Sequence, residues 1–120
     1  MLNLDTHILV FALTGELRPK ERVLLSSERW GISGIVLWEI AKLHALDRIE
    51  VDLEDAEVVR ALSAVHVWPV DLRVCQTLRR IDFKSDPADE LIAATSIVHR
   101  VPLLTRDKTI RRSRIVPLAK

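Results

Sequence analysis

Short apolar runs alternate along this chain with segments that begin on a helix-capping residue, and this alternation constrains the fold more than any other feature. Leu2-Asn3-Leu4 reads as a strand, and Asp5 and Thr6 then supply cap chemistry for a helix over Ile8 to Leu13, stopped by Gly15. Pro19 opens a second short helix to about Ser27. Trp30 to Ser33 reads as a strand, and Ser33 or Gly34 caps a helix over Ile35 to Leu46. The spacing of Leu53, Ala56, Val59 and Leu62 predicts a helix over 52–64. Val65 to Val70 is a valine-rich strand, although Pro69 weakens it. Asp71 caps a helix to about Ile81. Asp86-Pro87 places a cap and an N1 proline before a helix to about Arg100. Pro102 to Thr105 and Ile115 to Leu118 close the series as strands. Such alternation predicts an α/β fold with a mainly parallel sheet covered on both faces.

The 120 residues suit one domain, 1–120, with no repeat, low-complexity tract or Gly/Ser linker. Cys75 is the only cysteine, which excludes an internal disulfide and a cysteine-rich zinc site and suits a reducing, cytoplasmic setting. No stretch approaches the roughly 20 apolar residues of a membrane span. Eighteen Lys and Arg stand against 17 Asp and Glu, so bulk charge does not mark a nucleic-acid binder. With Gly15, Gly31 and Gly34 the only glycines, no phosphate-cradling loop or dinucleotide fingerprint can be built. The four histidines are scattered, and Ser/His/Asp catalysis has no local signature. Trp30, Trp38 and Trp68 are expected in the core rather than as base-stacking platforms.

The acids divide into two kinds. Glu50, Asp52, Glu54, Asp55 and Glu57 crowd one stretch and read as a solvated helix start. Asp5, Glu39 and Asp107 each stand alone, Glu39 in the apolar context Val36-Leu37-Trp38-Glu39-Ile40-Ala41. Each has an ordinary explanation: Asp5 as a cap, Glu39 paired with Lys42, Asp107 as a turn residue, Asp86 and Asp89 as a capping arrangement. Their placement argues for more. Asp5 and Asp107 follow strands, Glu39 lies about a turn and a half into the helix after Ser33, and Asp89 lies in the first turn after Asp86-Pro87. In open parallel sheets, ligands bind outside the carboxyl ends of the strands.

Four carboxylates brought together there repel, and a divalent cation relieves the repulsion. An all-oxygen donor set suits Mg²⁺ or Mn²⁺, and such ions activate water and neutralise phosphoryl charge, which is phosphodiester hydrolysis without a protein nucleophile. Thr6, Ser33 and Thr105 are auxiliary candidates for orienting carboxylates or water, or serve as ordinary caps. Arg106, Lys108 and Arg111 crowd Asp107 and are candidates for contacts to a phosphate backbone, or form an ordinary solvated surface.

Leu4-Asp5-Thr6-His7-Ile8-Leu9 resembles the opening of PIN domains, VapC-type toxins above all. Ile32-Ser33 with Trp38-Glu39-Ile40-Ala41, the run Asp86-Pro87-Ala88-Asp89-Glu90-Leu91, and Leu103-Leu104-Thr105-Arg106-Asp107 resemble the later signatures, in the family's order. The resemblance implies a PIN-like three-layer α/β/α sandwich and a Mg²⁺- or Mn²⁺-dependent endoribonuclease. In it Asp5, Glu39, Asp89 and Asp107 form the catalytic, metal-binding quartet, and Asp86 is an auxiliary acid or cap. It further implies a homodimer held inactive by a small VapB-like antitoxin. Glu90 stands where the family often has arginine. A non-catalytic PIN-like module binding RNA or protein is the alternative. A phosphoacceptor domain is a third reading, disfavoured because Leu103 to Asp107 lacks a strand-end lysine.

Overall fold

The computed structural model describes residues 1–120. Four strands, β1 (Leu2–Leu4), β2 (Trp30–Ser33), β3 (His66–Trp68) and β4 (Leu103–Leu104), form a wholly parallel sheet in the order β3-β2-β1-β4. Seven helices flank it: α1 (Thr6–Thr14), α2 (Pro19–Ser26), α3 (Gly34–Ala45), α4 (Ala56–Leu62), α5 (Leu72–Thr77), α6 (Pro87–His99) and α7 (Lys108–Arg111). The α/β/α expectation holds.

Strand order reverses direction at β1. From β1 the chain builds outward through β2 to β3, then returns to add β4 on the other side of β1. The crevice beyond the carboxyl ends of β1 and β4 is therefore the topological switch point, where open α/β sheets bind ligands.

Caps mark the helix starts as the sequence predicts. Asp5, Ser33, Asp71 and Asp86 each accept a backbone N–H at the head of the helix that follows. Gly15 ends α1 in the left-handed region at φ 76°, where a side chain would be strained. The core lies between sheet and helices. Leu4, Ile32 and Leu103 from the strands meet Leu9 of α1, Val36 and Ile40 of α3, and Ile92 and Ala93 of α6, all without solvent exposure. Asn3 is buried in β1 and donates from Nδ2 to the Ile92 carbonyl (3.1 Å) and Ser96 Oγ (2.8 Å), which fixes α6 against the sheet.

Several expectations change. The helix predicted from Asp52 begins at Ala56, because Asp52 accepts the Glu54 N–H (2.9 Å) in a turn and Asp55 takes the cap. The strand predicted over Val65 to Val70 contracts to His66–Trp68, ahead of Pro69, which has no N–H to donate. The helix after Asp71 ends at Thr77 and tightens into a 3-10 turn over Leu78–Arg80. Ile115 to Leu118 makes a single bridge, Leu118 to Leu103, since Pro117 interrupts the donor series. Of the tryptophans, Trp68 is buried, Trp30 is partly buried, and Trp38 is 58% exposed, outside the core.

Candidate active site

The site begins with Asp5, the residue after β1. Its backbone N–H donates to the Leu104 carbonyl (3.1 Å), which sets the end of β1 beside the end of β4. The side chain is nearly buried. Oδ1 accepts the Thr6 N–H (2.8 Å) and Oδ2 accepts the Thr105 hydroxyl (2.5 Å). Thr105 Oγ1 in turn accepts the Asp107 N–H (3.0 Å), and Asp107 caps α7 through the Ile110 N–H (3.0 Å). One hydroxyl thus joins two acids from opposite ends of the chain.

Glu39 and Asp89 approach from the helices. The Thr6 hydroxyl donates to Glu39 Oε1, so neighbouring residues of α1's first turn hold Asp5 and meet α3. Asp89 Oδ2 accepts the Ser85 hydroxyl (2.6 Å). Asp86 caps α6 by accepting the Asp89 N–H (3.0 Å) and is exposed.

The electrostatics tie the four together. Burial raises the Asp5 carboxyl above its ordinary range, opposed by the Thr105 and Thr6 donors, and the Asp107 charge raises it further. Burial likewise raises Glu39, with Asp86 and Asp5 adding to it. Asp89 is pushed up to about 6, by burial first and then by the charges of Asp5, Asp86 and Asp107. No lysine or arginine forms an ion pair with any of the four. The side chains do not form a finished cage, since no group of three or more His, Cys, Asp or Glu side chains is disposed to hold one ion. Each of the four carboxylates instead takes a hydroxyl or N–H. Beyond these donors, only the charge of His7 is set against the acids, acting on Asp5 and Glu39. The oxygen-only donors, raised acids and lack of cationic partners fit a hard divalent ion.

The other sequence candidates are placed more plainly. Thr6 and Thr105 both hold acids of the cluster. Ser33 is buried and caps α3 through the Ile35 N–H (3.2 Å), with no hydrogen bond to an acid. Lys108 and Arg111 are exposed beside Asp107. Arg106 is engaged inward. Its Nε and Nη2 donate to the Glu21 carboxylate (2.8 and 2.7 Å), and the guanidinium lies 4.1 Å over the Phe11 ring. Sequence reasoning missed Ser85 as the partner of Asp89. Glu90 accepts the Ser85 N–H (3.0 Å), which explains an acid at that position: it helps order the segment leading into α6. The local sequence offers no capping-box signal for Ser85, which lies one residue before the Asp86 cap and reaches Asp89 and Glu90 only in the folded helix start.

The PIN domain model matches residues 3–115. No curated protein sequence matches the chain. Similar solved structures include a toxin–antitoxin complex from Klebsiella pneumoniae, at TM-score 0.74 and 20% identity, covering 99% of this chain and 97% of that one. VapBC2 from Rickettsia felis, bound to a DNA fragment from its promoter, aligns at 0.73 and 19% identity over 99% and 98% of the two chains. FitAcB from Neisseria gonorrhoeae aligns at 0.71 and 20% identity over 100% and 97%. With the sheet order, the acids at its switch point and a family match over nearly all its length in agreement, this chain belongs to the PIN domain family.

Proposed function

We propose that this chain, acting as one domain, is a Mg²⁺- or Mn²⁺-dependent endoribonuclease and the toxin of a VapBC-type pair. What supports this reading is the set of electrostatic links among Asp5, Glu39, Asp89 and Asp107 near the switch point, none of them ion-paired with a lysine or arginine. These four residues would hold the metal. The ion supplies charge neutralisation at the phosphate and activation of water when bound. The protein's own part is positional. Thr105 and Thr6 fix the Asp5 oxygens, Thr6 reaches Glu39, and Ser85 orients Asp89.

The toxin assignment draws on the similar structures, of which the Klebsiella one is a toxin–antitoxin complex and the Rickettsia one VapBC2. The partners we assign are RNA as substrate, a small VapB-like antitoxin and a second copy of the chain. No helix is long and apolar enough to cross a membrane, and we place the protein in the cytoplasm.

Replacing Asp5 by Asn tests the reading. It keeps the capping oxygen and removes the charge. Cleavage of single-stranded RNA by the wild type in Mg²⁺ or Mn²⁺, lost in D5N with the fold retained by circular dichroism, supports it; undiminished cleavage by D5N removes it. The absence of a ready three-carboxylate cage favours one rival, a non-catalytic PIN-like module. That rival predicts no cleavage by the wild type at any Mg²⁺ or Mn²⁺ concentration.

A further inference from the structure

Beside the end of β4 lies a cavity of about 250 Å³, between α2, the residues following β4, and Ala119 and Lys120. This is below the roughly 300–1,000 Å³ of typical small-molecule sites and suits a single group rather than a whole cofactor. Five cations line it: Arg18, Lys20, Arg106, Arg111 and Lys120.

The acid among them is already taken. Glu21 accepts both Arg106 donors and the Arg18 backbone N–H (2.8 Å), so Arg106 and Glu21 cancel. The other four side chains form no ion pair. Arg111 spends one donor on the Thr105 carbonyl (3.3 Å) and has others free. Unneutralised positive charges around a small hollow favour an anion, and arginine's planar fork suits phosphate oxygens.

Thr105 decides which anion. Its carbonyl faces Arg111, and its hydroxyl holds Asp5. Thr105 therefore stands between the cavity and the Asp5 carboxylate, the relation that a strand bridging the two would use. We propose that the cavity is a phosphate subsite, holding a backbone phosphate of the RNA strand next to the one at the acids. This rests on the ribonuclease reading. It moves strand binding away from Arg106, toward Arg18, Lys20, Arg111 and Lys120, and contributes affinity without sequence preference.

The test measures binding of a short single-stranded RNA to the full chain in EDTA, where no metal-dependent cleavage intervenes, by fluorescence anisotropy across a salt series. Arg18, Lys20 and Arg111 are exposed, so R18A/K20A and R111A are expected to fold, as circular dichroism would verify. Expected is binding weakened by about five- to tenfold at low salt, with the log–log salt slope shallower by about 0.7 for each phosphate that is no longer neutralised. K42A, at an exposed lysine of α3 outside the cavity, serves as the unaffected control. Unchanged RNA affinity and slope in both cavity variants overturn the subsite. The two readings fail separately. Unaltered binding in the variants beside D5N-sensitive cleavage sinks the subsite alone. Weakened binding beside a wild type that never cleaves sinks the ribonuclease reading alone.

Discussion

Thr105 donates its hydroxyl hydrogen to Asp5 Oδ2 at 2.5 Å, joining the carboxyl ends of β4 and β1. The pair sits where strand order reverses, so the fold's switch point coincides with a buried acid.

Thr105→Val removes that donor at nearly constant volume. Asp5 keeps the Thr6 N–H but is deprived of the stronger of the two hydrogen bonds that hold its carboxyl down, so its pKa rises further. The acceptor for the Asp107 backbone N–H goes with it. Residues that orient metal ligands typically carry about 10–100-fold of metal affinity. Titration with Mn²⁺ should show a loss in that range for T105V and recovery in T105S.

Stability without metal should fall as pH rises through about 6. The sign follows from the direction of the shift. Asp89 is raised from 3.8 to about 6, so the folded state favours the protonated acid. Its contribution is full below the unfolded value and is lost as pH climbs through the folded one. Asp5 and Glu39 act in the same direction. Asp89 is partly buried, and after solvent screening its share is about 1–2 kcal/mol. Urea melts at pH 5 and 7.5 should show the drop, and millimolar Mg²⁺ should reverse it at the higher pH.

Removing Arg106 should destabilise the protein. Glu21 is buried and held below the usual carboxylate range, first by the Arg106 hydrogen bonds. Arg106→Ala strands that carboxylate and uncovers Phe11, at a cost of about 2–3 kcal/mol. Because the shift is downward, this stabilisation exists above the unfolded pKa and disappears as pH falls through the folded one. The wild-type advantage over R106A in urea melts should therefore shrink at acid pH. R106K should recover only part, since an ammonium cannot match the two-pronged contact.

The fold was legible where local chemistry and tertiary contacts agree. Gly15, Ser33 and the Asp86-Pro87 pair mark helix ends by their own conformational rules, and the structure keeps each. Asp5 was legible because it follows β1 directly and caps α1. What stayed hidden depends on partners distant in sequence. Arg106 looked like a free surface cation because nothing nearby reveals Glu21, 85 residues away. The exposure of Trp38 was equally unreadable, since an apolar stretch does not say which of its faces meets the sheet. Ile115 to Leu118 has a strand's composition but meets β4 only at Leu118.

Gly31 should tolerate no side chain. It lies in β2, paired with His66 of β3, and the buried Trp68 ring covers it. A Cβ placed there would stand 2.5 Å from two atoms of the indole six-membered ring. That ring cannot step aside freely, because it stacks on His99 at a centroid distance of 5.4 Å and meets the edge of His66 at 5.0 Å. The φ of Gly31 lies outside the left-handed region, so backbone strain is not the cause and the effect is steric. Gly31→Ala should therefore cost about 1–3 kcal/mol, the range for overpacking a filled core. The discriminating measurement is a double-mutant cycle by thermal melting. Trp68→Leu alone destabilises by vacating space, but G31A should cost markedly less in that background than in the wild type. Additive losses would mean that the ring is not what Gly31 accommodates.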